Sequence, residues 1–428
     1  MTLHRHEGET LMFHTRVLII GAGQAGLVVS KQLTDAGVDH VVLERGRTAE
    51  RWTSQRWDSL RLLTPNWMSR LPGWSYRGSD PSGFMPAVEV AEYLTGYADS
   101  FGAPIIQGAE VRSVRRRGGH YQVVSDAGIF SAAAVVIATG YCDRPAVPPV
   151  AGTLDPSVRQ ITPDLYRNPG DVPDGRVLVV GASATGAQLA DELATAGRDV
   201  VLAVGRHTRV PRRYRGLDIM WWLDSMGILD RQLTTAQIAR RQEPSLQIVG
   251  STDGREVDLP SLAERGIRLT GRLTGTNRRE LTFADDLATT ATAADSRLDR
   301  LLGRIDHFAA ATGLDHEIDP PGRPRHVADR PDARAARQPL EKIDGIRAVI
   351  WATGYRRGYP WLHVPVLNAA GEIQHSAGRT AAPGLLVIGM RSQTRRSSTF
   401  LDGVRHDAAL VVDHLINGAL AGTARRAS

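Results

Sequence analysis

The sequence predicts an α/β protein built from two Rossmann-type domains of the three-layer ββα kind, the second inserted into the first. Three observations carry this prediction. A strand, glycine loop, helix and second strand follow one another near the N-terminus; the same unit recurs 160 residues later; and an Ala-Thr-Gly-Tyr segment ends an apolar run once after each unit. A chain of 428 residues also exceeds what one hydrophobic core normally serves, so two domains are expected on size alone.

The first unit begins with the apolar run Val17–Ile20 and continues through Gly21-Ala22-Gly23-Gln24-Ala25-Gly26. A helical stretch then runs to Ala36, Gly37 stops it, and Val41–Glu44 forms the next strand. Glycines in such a loop permit a tight turn, close backbone approach to a pyrophosphate and close packing of helix on strand, while the helix N-terminus offers free N–H groups to the phosphates. Glu44, at the end of the second strand, is placed to accept hydrogen bonds from ribose hydroxyls, with Arg45 beside it. Gly21, Gly23, Gln24, Ala25, Gly26, Glu44 and Arg45 are therefore the expected contacts of a first dinucleotide.

The second unit runs from Val177–Val180 through Gly181-Ala182-Ser183-Ala184-Thr185-Gly186, a helix stopped at Gly197, and the strand Val200–Val204. Ser183 replaces the central glycine, and Val204 stands where the first unit has its glutamate. With no acid to repel it, a 2′-phosphate can be held by Arg206, with His207, Thr208 and Arg212 as helpers. Two nicotinamide nucleotides would leave no electron acceptor, so FAD is assigned to the first site and NADPH to the second, linked by hydride transfer.

Val135-Val136-Ile137-Ala138-Thr139-Gly140-Tyr141 closes the first lobe, and Val349–Tyr355 nearly copies it. Set on either side of the second unit, the pair suggests one domain interrupted by another: FAD-binding pieces at 1–168 and 336–428 around an NADPH-binding domain at 169–335. Seven prolines between Pro145 and Pro173 suit an extended crossing linker. Helical periodicity over Met220–Leu223 and Leu298–Ala311 marks an elaboration of the inserted domain, with Trp221 and Trp222 read as core.

Composition narrows the function classes. Apolar and charged residues make up 42% and 23% of the chain, as in an ordinary globular enzyme. The formal charge of +6 comes almost wholly from arginine, scattered rather than gathered in a stripe, which argues against a nucleic-acid partner; Arg115-Arg116-Arg117 before Gly118-Gly119 reads as a solvated hairpin. Cys142 is the single cysteine, so neither an internal disulfide nor a dithiol relay can form within one chain. The histidines show no metal-ligand spacing, and no metal is expected. Without a secretory pattern or a long apolar run, a cytoplasmic monomer or homodimer acting on a small molecule is expected.

These residues resemble the class B flavin-dependent monooxygenases over nearly the whole chain. The resemblance rests on the first loop with Glu44, Arg51-Trp52, the two Ala-Thr-Gly segments, Tyr166-Arg167-Asn168-Pro169 and Gly181–Gly186. A bacterial subgroup of NAD(P)/FAD-dependent oxidoreductases shares the style of Gly205-Arg206-His207, Pro211–Gly216 and Ser397–Val404. The resemblance adds Arg51, Trp52, Thr139, Gly140, Thr353 and Gly354 to the expected cofactor contacts. It implies that NADPH reduces FAD and that O2 then adds at the flavin C4a carbon, as a (hydro)peroxide that gives one oxygen atom to nitrogen, sulfur or carbon of a substrate. An NADPH-dependent flavin reductase without oxygen insertion, and a nucleotide-binding redox sensor, remain the alternatives.

Two departures stand out. The family pattern of phenylalanine, glycine, histidine and tyrosine between the loops falls on Pro156, Val158, Thr162 and Tyr166, where only the tyrosine matches. The asparagine that the family places near the flavin falls on Leu63, within Arg61-Leu62-Leu63-Thr64-Pro65-Asn66. Thr64 and Asn66 are the nearest polar side chains and are taken as the catalytic candidates.

Overall fold

The computed structural model describes residues 2–4, 12–239, 244–251, 253–277, 280–326 and 345–421. The larger sheet is centred on Met12–Ile20, whose apolar second half, Val17–Ile20, is buried. Its order is Ile105–Ile106, His40–Leu43, Met12–Ile20, Gly128–Ile137, His120–Ser125, Val111–Arg117. Gly128–Ile137 is long enough to serve two neighbours. Its first half continues the antiparallel meander with His120–Ser125, and its second half pairs in parallel with Leu385–Val387. Helices Gln24–Asp35, Ala87–Ser100 and Val404–His414 cover one face through an aliphatic core that includes Leu27, Leu94 and Val411. The triple arginine Arg115–Arg117 lies at the meander's hairpin, as its glycine pair suggested.

The second sheet is wholly parallel, in the order Arg159–Ile161, Ile346–Trp351, Arg176–Val180, Asp199–Ala203, Arg268–Thr270. Helices Ala184–Thr195 and Leu259–Glu264 pack on one face. The hairpin Leu273–Asn277 with Glu280–Phe283 lays Leu281 on the other face, against Leu178, Val349 and Trp351. Sequence segments on either side of this sheet belong to the first one, so the insertion is real.

Its limits differ from the expected 169–335. The strands Arg159–Ile161 and Ile346–Trp351 both lie in the second sheet, so this domain starts earlier and ends later. The two Ala-Thr-Gly-Tyr segments are not halves of one domain; each closes its own sheet. Outgoing and returning chains then cross side by side, Arg144–Pro145 pairing antiparallel with Tyr355–Arg356. The stretch 327–344, which contains the expected 335/336 boundary, is outside the described residues.

The elaboration is helical, as its periodicity suggested. In Leu287–Thr312, Leu287, Ala291, Ala294, Leu298, Leu302, Ile305 and Ala309 recur at three- and four-residue spacing and are buried, and Gly313 ends the helix at φ 76°. Trp222 is fully buried in Ile219–Ser225, its indole N–H donating to the Tyr214 carbonyl at 2.9 Å, and Trp221 packs edge-on against it. No helix among the described residues is long and apolar enough to cross a membrane.

Candidate active site

Both glycine loops open on one cleft of about 1420 Å³ between the domains. That exceeds the roughly 300–1,000 Å³ of a site for one small molecule. The first loop is built as its sequence requires. Gly21 sits at φ 108°, where a Cβ would come 2.8 Å from the Ala138 carbonyl oxygen, and a Cβ on Gly26 would collide with the Gly21 carbonyl. Gly23 is different: a Cβ there would meet no protein atom within 4 Å. The helix Gln24–Asp35 starts without a side-chain cap and without an acid in its first turn, so its leading N–H groups stay available to an anion.

Glu44 is buried and lines the cleft. Its carboxylate accepts from the Ala22 N–H at 2.7 Å and the Gly46 N–H at 3.0 Å, which fixes it between loop and strand. A carboxylate has acceptor sites beyond those two, so ribose hydroxyls can still be received. Gln24 donates to the Thr399 carbonyl at 2.7 Å and ties the loop to the Arg396–Thr399 turn. Ala25, Arg45, Arg51, Trp52, Thr139 and Gly140 all line the cleft. Arg45 and Arg51 share Asp143 at 3.8 and 3.4 Å, and burial lowers the Arg51 guanidinium from its ordinary value. Cys142 lies among these groups; burial raises its thiol, against the pull of Arg56 and Arg51. The chain's residues fit a dinucleotide here.

The second loop repeats the frame. Gly181 has φ 106°, and a Cβ on it would clash with the Ala352 carbonyl, as one on Gly186 would with the Gly181 carbonyl. Ser183 starts the helix Ala184–Thr195 without capping it, and its first turn also lacks an acid. Ala184 and Thr185 line the cleft, while Gly181, Ser183 and Gly186 shape the turn behind them. Arg206 and Thr208 follow on the cleft wall, Arg206 exposed beyond buried Val204.

Five expected residues are placed elsewhere. His207 is buried, its ring 3.0 Å from the Gly205 carbonyl and its imidazole lowered by desolvation; it faces the core rather than the cleft. Arg212 is 2% exposed, donating to the Leu63 carbonyl at 2.9 Å, bonded to Asp218 and stacked 4.8 Å over Phe84. It is a strut between domains and not a phosphate ligand. Thr353 spends its hydroxyl on the Ala146 carbonyl at 2.7 Å, and with Gly354 it joins the crossing chains outside the cleft lining. Asn66 is also outside that lining. Its amide donates to the Asp80 carbonyl at 2.9 Å and accepts from the Met85 N–H at 2.7 Å, so it fastens the loop 80–85. Thr64, two residues before it, does line the cleft, beside Leu63.

The sequence reading missed Arg297, Arg300 and Arg304, which line the cleft from helix Leu287–Thr312. Their three- and seven-residue spacing was the available signal, since it puts them on one face. Among the described residues no group of three His, Cys, Asp or Glu side chains gathers as a metal site.

The family model of pyridine nucleotide-disulphide oxidoreductases matches residues 18–219. A CzcO-like oxidoreductase of Geobacillus kaustophilus is 30% identical over 408 residues, 94% of this chain and 98% of that one. The probable indole-3-pyruvate monooxygenase YUCCA4 of Arabidopsis thaliana is 27% identical over 193 residues, 44% of this chain and 46% of its own length. Among solved structures, the flavin-containing monooxygenase from Stenotrophomonas maltophilia superposes with a TM-score of 0.65 over 94% of this chain and 98% of that one, at 19% identity.

Proposed function

The chain belongs to the CzcO-like oxidoreductases, and on that premise we propose that it is a class B flavin-dependent monooxygenase, using FAD and NADPH to insert one oxygen atom of O2 into a small organic substrate. The observation that carries the reading is the shared cleft, onto which two like loops present unlike strand ends, Glu44 in one and Val204-Gly205-Arg206 in the other. FAD, when bound, supplies two-electron chemistry with NADPH and with O2. The protein's share is binding, orientation and exclusion of water.

Gly23 and the N–H groups after it hold one pyrophosphate, with Glu44 on the adjoining ribose. Thr185 and the first turn of Ala184–Thr195 hold the other, with Arg206 on the 2′-phosphate. Leu63, Met220, Leu223, Leu229 and Phe400 give the cleft an apolar wall that keeps water from the reacting centre. The single cysteine supports oxygen over an internal dithiol as the electron acceptor. The balance is substrate, O2, NADPH and one proton giving oxygenated product, NADP⁺ and water.

Turnover under ¹⁸O₂ tests this. One ¹⁸O atom per NADPH should enter an amine, sulfide or ketone substrate and the other should enter water. NADPH oxidation that ends wholly in a quinone or in hydrogen peroxide, with no labelled product from any candidate, would establish the reductase reading instead.

A further inference from the structure

We infer that the substrate is an anion: a molecule with an apolar body and a carboxylate held by Arg300 and Arg304. The inference rests on the monooxygenase reading for its chemistry but on the cleft wall for its recognition. That wall, where the inserted domain supplies it, carries Arg206, Arg209, Arg297, Arg300 and Arg304 and no Asp or Glu. Arg209 is neutralised by buried Asp258 and Asp295, at 2.5 and 2.7 Å. Arg297 donates to the His207 carbonyl at 2.9 Å, which puts it beside Arg206 at the coenzyme's 2′-phosphate end.

Arg300 and Arg304 are left over. Both are exposed, and among the described residues neither pairs with a carboxylate. Acids on the same helix are turned to other partners, Asp295 to Arg209, Asp299 to His326 and Asp306 to Tyr214. Two like charges four residues apart repel each other across one turn, and a bound anion removes that cost.

Their position on the helix separates them from the coenzyme. Leu287 and Ala291 pack into the core of the nucleotide-binding sheet, whereas Leu301, Leu302 and Ile305 pack with Leu223, Leu229 and Phe400. The helix therefore runs from the coenzyme toward the apolar wall, and Arg304 lies about 10 Å further along it than Arg297. Guanidinium groups match a planar carboxylate in charge and shape, and a cleft lined with one sign of charge draws in its counter-ion and turns away a protonated amine.

The test uses three methylthio-aryl probes of one shape, bearing a carboxylate, a carboxamide or an ammonium group. Their binding to the FAD-loaded protein with saturating NADP⁺ is measured by calorimetry. The carboxylate should bind about tenfold to a hundredfold tighter than the amide, as a charge-assisted hydrogen bond implies, and the ammonium weakest. Arg300→Ala with Arg304→Ala should abolish that preference while the NADP⁺ dissociation constant stays unchanged. Equal or absent binding of all three probes overturns the inference, as does a double variant that loses NADP⁺ instead. Separate ¹⁸O₂ turnover distinguishes the two proposals. A carboxylate held through these arginines but never labelled keeps the anion site and removes the monooxygenase reading. Label entering amide and ammonium as readily as carboxylate does the reverse.

Discussion

The two glycine loops are nearly one structure built twice, and they differ where a ligand is chosen. In each, the first glycine takes a positive φ against an Ala-Thr-Gly carbonyl, its N–H donates to the end of the second strand (Leu43 at 2.8 Å, Ala203 at 3.0 Å), and a 12-residue helix follows. Each helix is stopped by a left-handed glycine, Gly37 at φ 63° and Gly197 at φ 79°. These shared features are what any pyrophosphate on a helix N-terminus requires. The differences are Gly23 against Ser183 and Glu44 against Val204 with Arg206. Backbone geometry sets where a dinucleotide lies, and one or two side chains at the strand end set which one.

The largest expected effect breaks the symmetry at the central loop position. Gly23→Leu adds a side chain where no protein atom stands within 4 Å, so the fold should survive while the flavin pyrophosphate is shut out. Purified variant should be folded by circular dichroism and nearly colourless. The second loop already carries a side chain there, so Ser183→Ala should leave flavin content intact. A yellow Gly23→Leu protein would mean that the first loop does not approach a pyrophosphate.

Next comes the question of which arginines belong to the second site. Removing a buried, paired arginine leaves its partner uncompensated at a cost of about 3–5 kcal/mol, so Arg212→Met should lower the unfolding temperature sharply. The same variant should keep a near-normal Michaelis constant for NADPH, because Arg212 holds Leu63 and Asp218 rather than a phosphate. Arg206→Ala should behave oppositely. Stability should barely change, the NADPH constant should rise about tenfold to a hundredfold, and NADH should be nearly unaffected. Equal losses for both coenzymes would remove Arg206 from the 2′-phosphate.

These pairs show what the sequence could and could not reveal. Both loops, their helices and Glu44 were legible because each residue type answers a local need of backbone or phosphate. Side-chain direction was not. His207 and Arg212 lie close to Arg206 in sequence, yet the chain after Val204 turns them into the core. The run 346–351 resembled the end of the first lobe because any buried parallel strand reads as a short apolar run, and only pairing with Arg176–Val180 assigns it. Arg300 and Arg304 carried no signal of a site in the sequence, because only the fold lays their helix face along the cleft.

The smallest effect concerns Thr64 and Asn66, two neighbours that the fold separates. Asn66 is consumed by the loop 80–85, whereas Thr64 lines the cleft next to Leu63, and among the described residues no hydrogen bond engages its hydroxyl. Leu63 falls where the resemblance places an asparagine, and Thr64, next to it in the chain and in the cleft lining, has a hydroxyl able to donate a hydrogen bond there. Thr64→Val keeps the shape and removes the hydroxyl. NADPH should then reduce the flavin at the normal rate in anaerobic stopped flow, because the coenzyme's own contacts are untouched. In air, the fraction of NADPH electrons released as hydrogen peroxide should rise by about two- to tenfold, the worth of one neutral hydrogen bond. Asn66→Asp is the opposite control: it should destabilise the fold through the loop 80–85 and leave the peroxide fraction of the surviving protein unchanged. An unchanged peroxide fraction in Thr64→Val would leave water exclusion to the apolar wall and the bound coenzyme alone, with the threonine merely shaping the turn before Pro65.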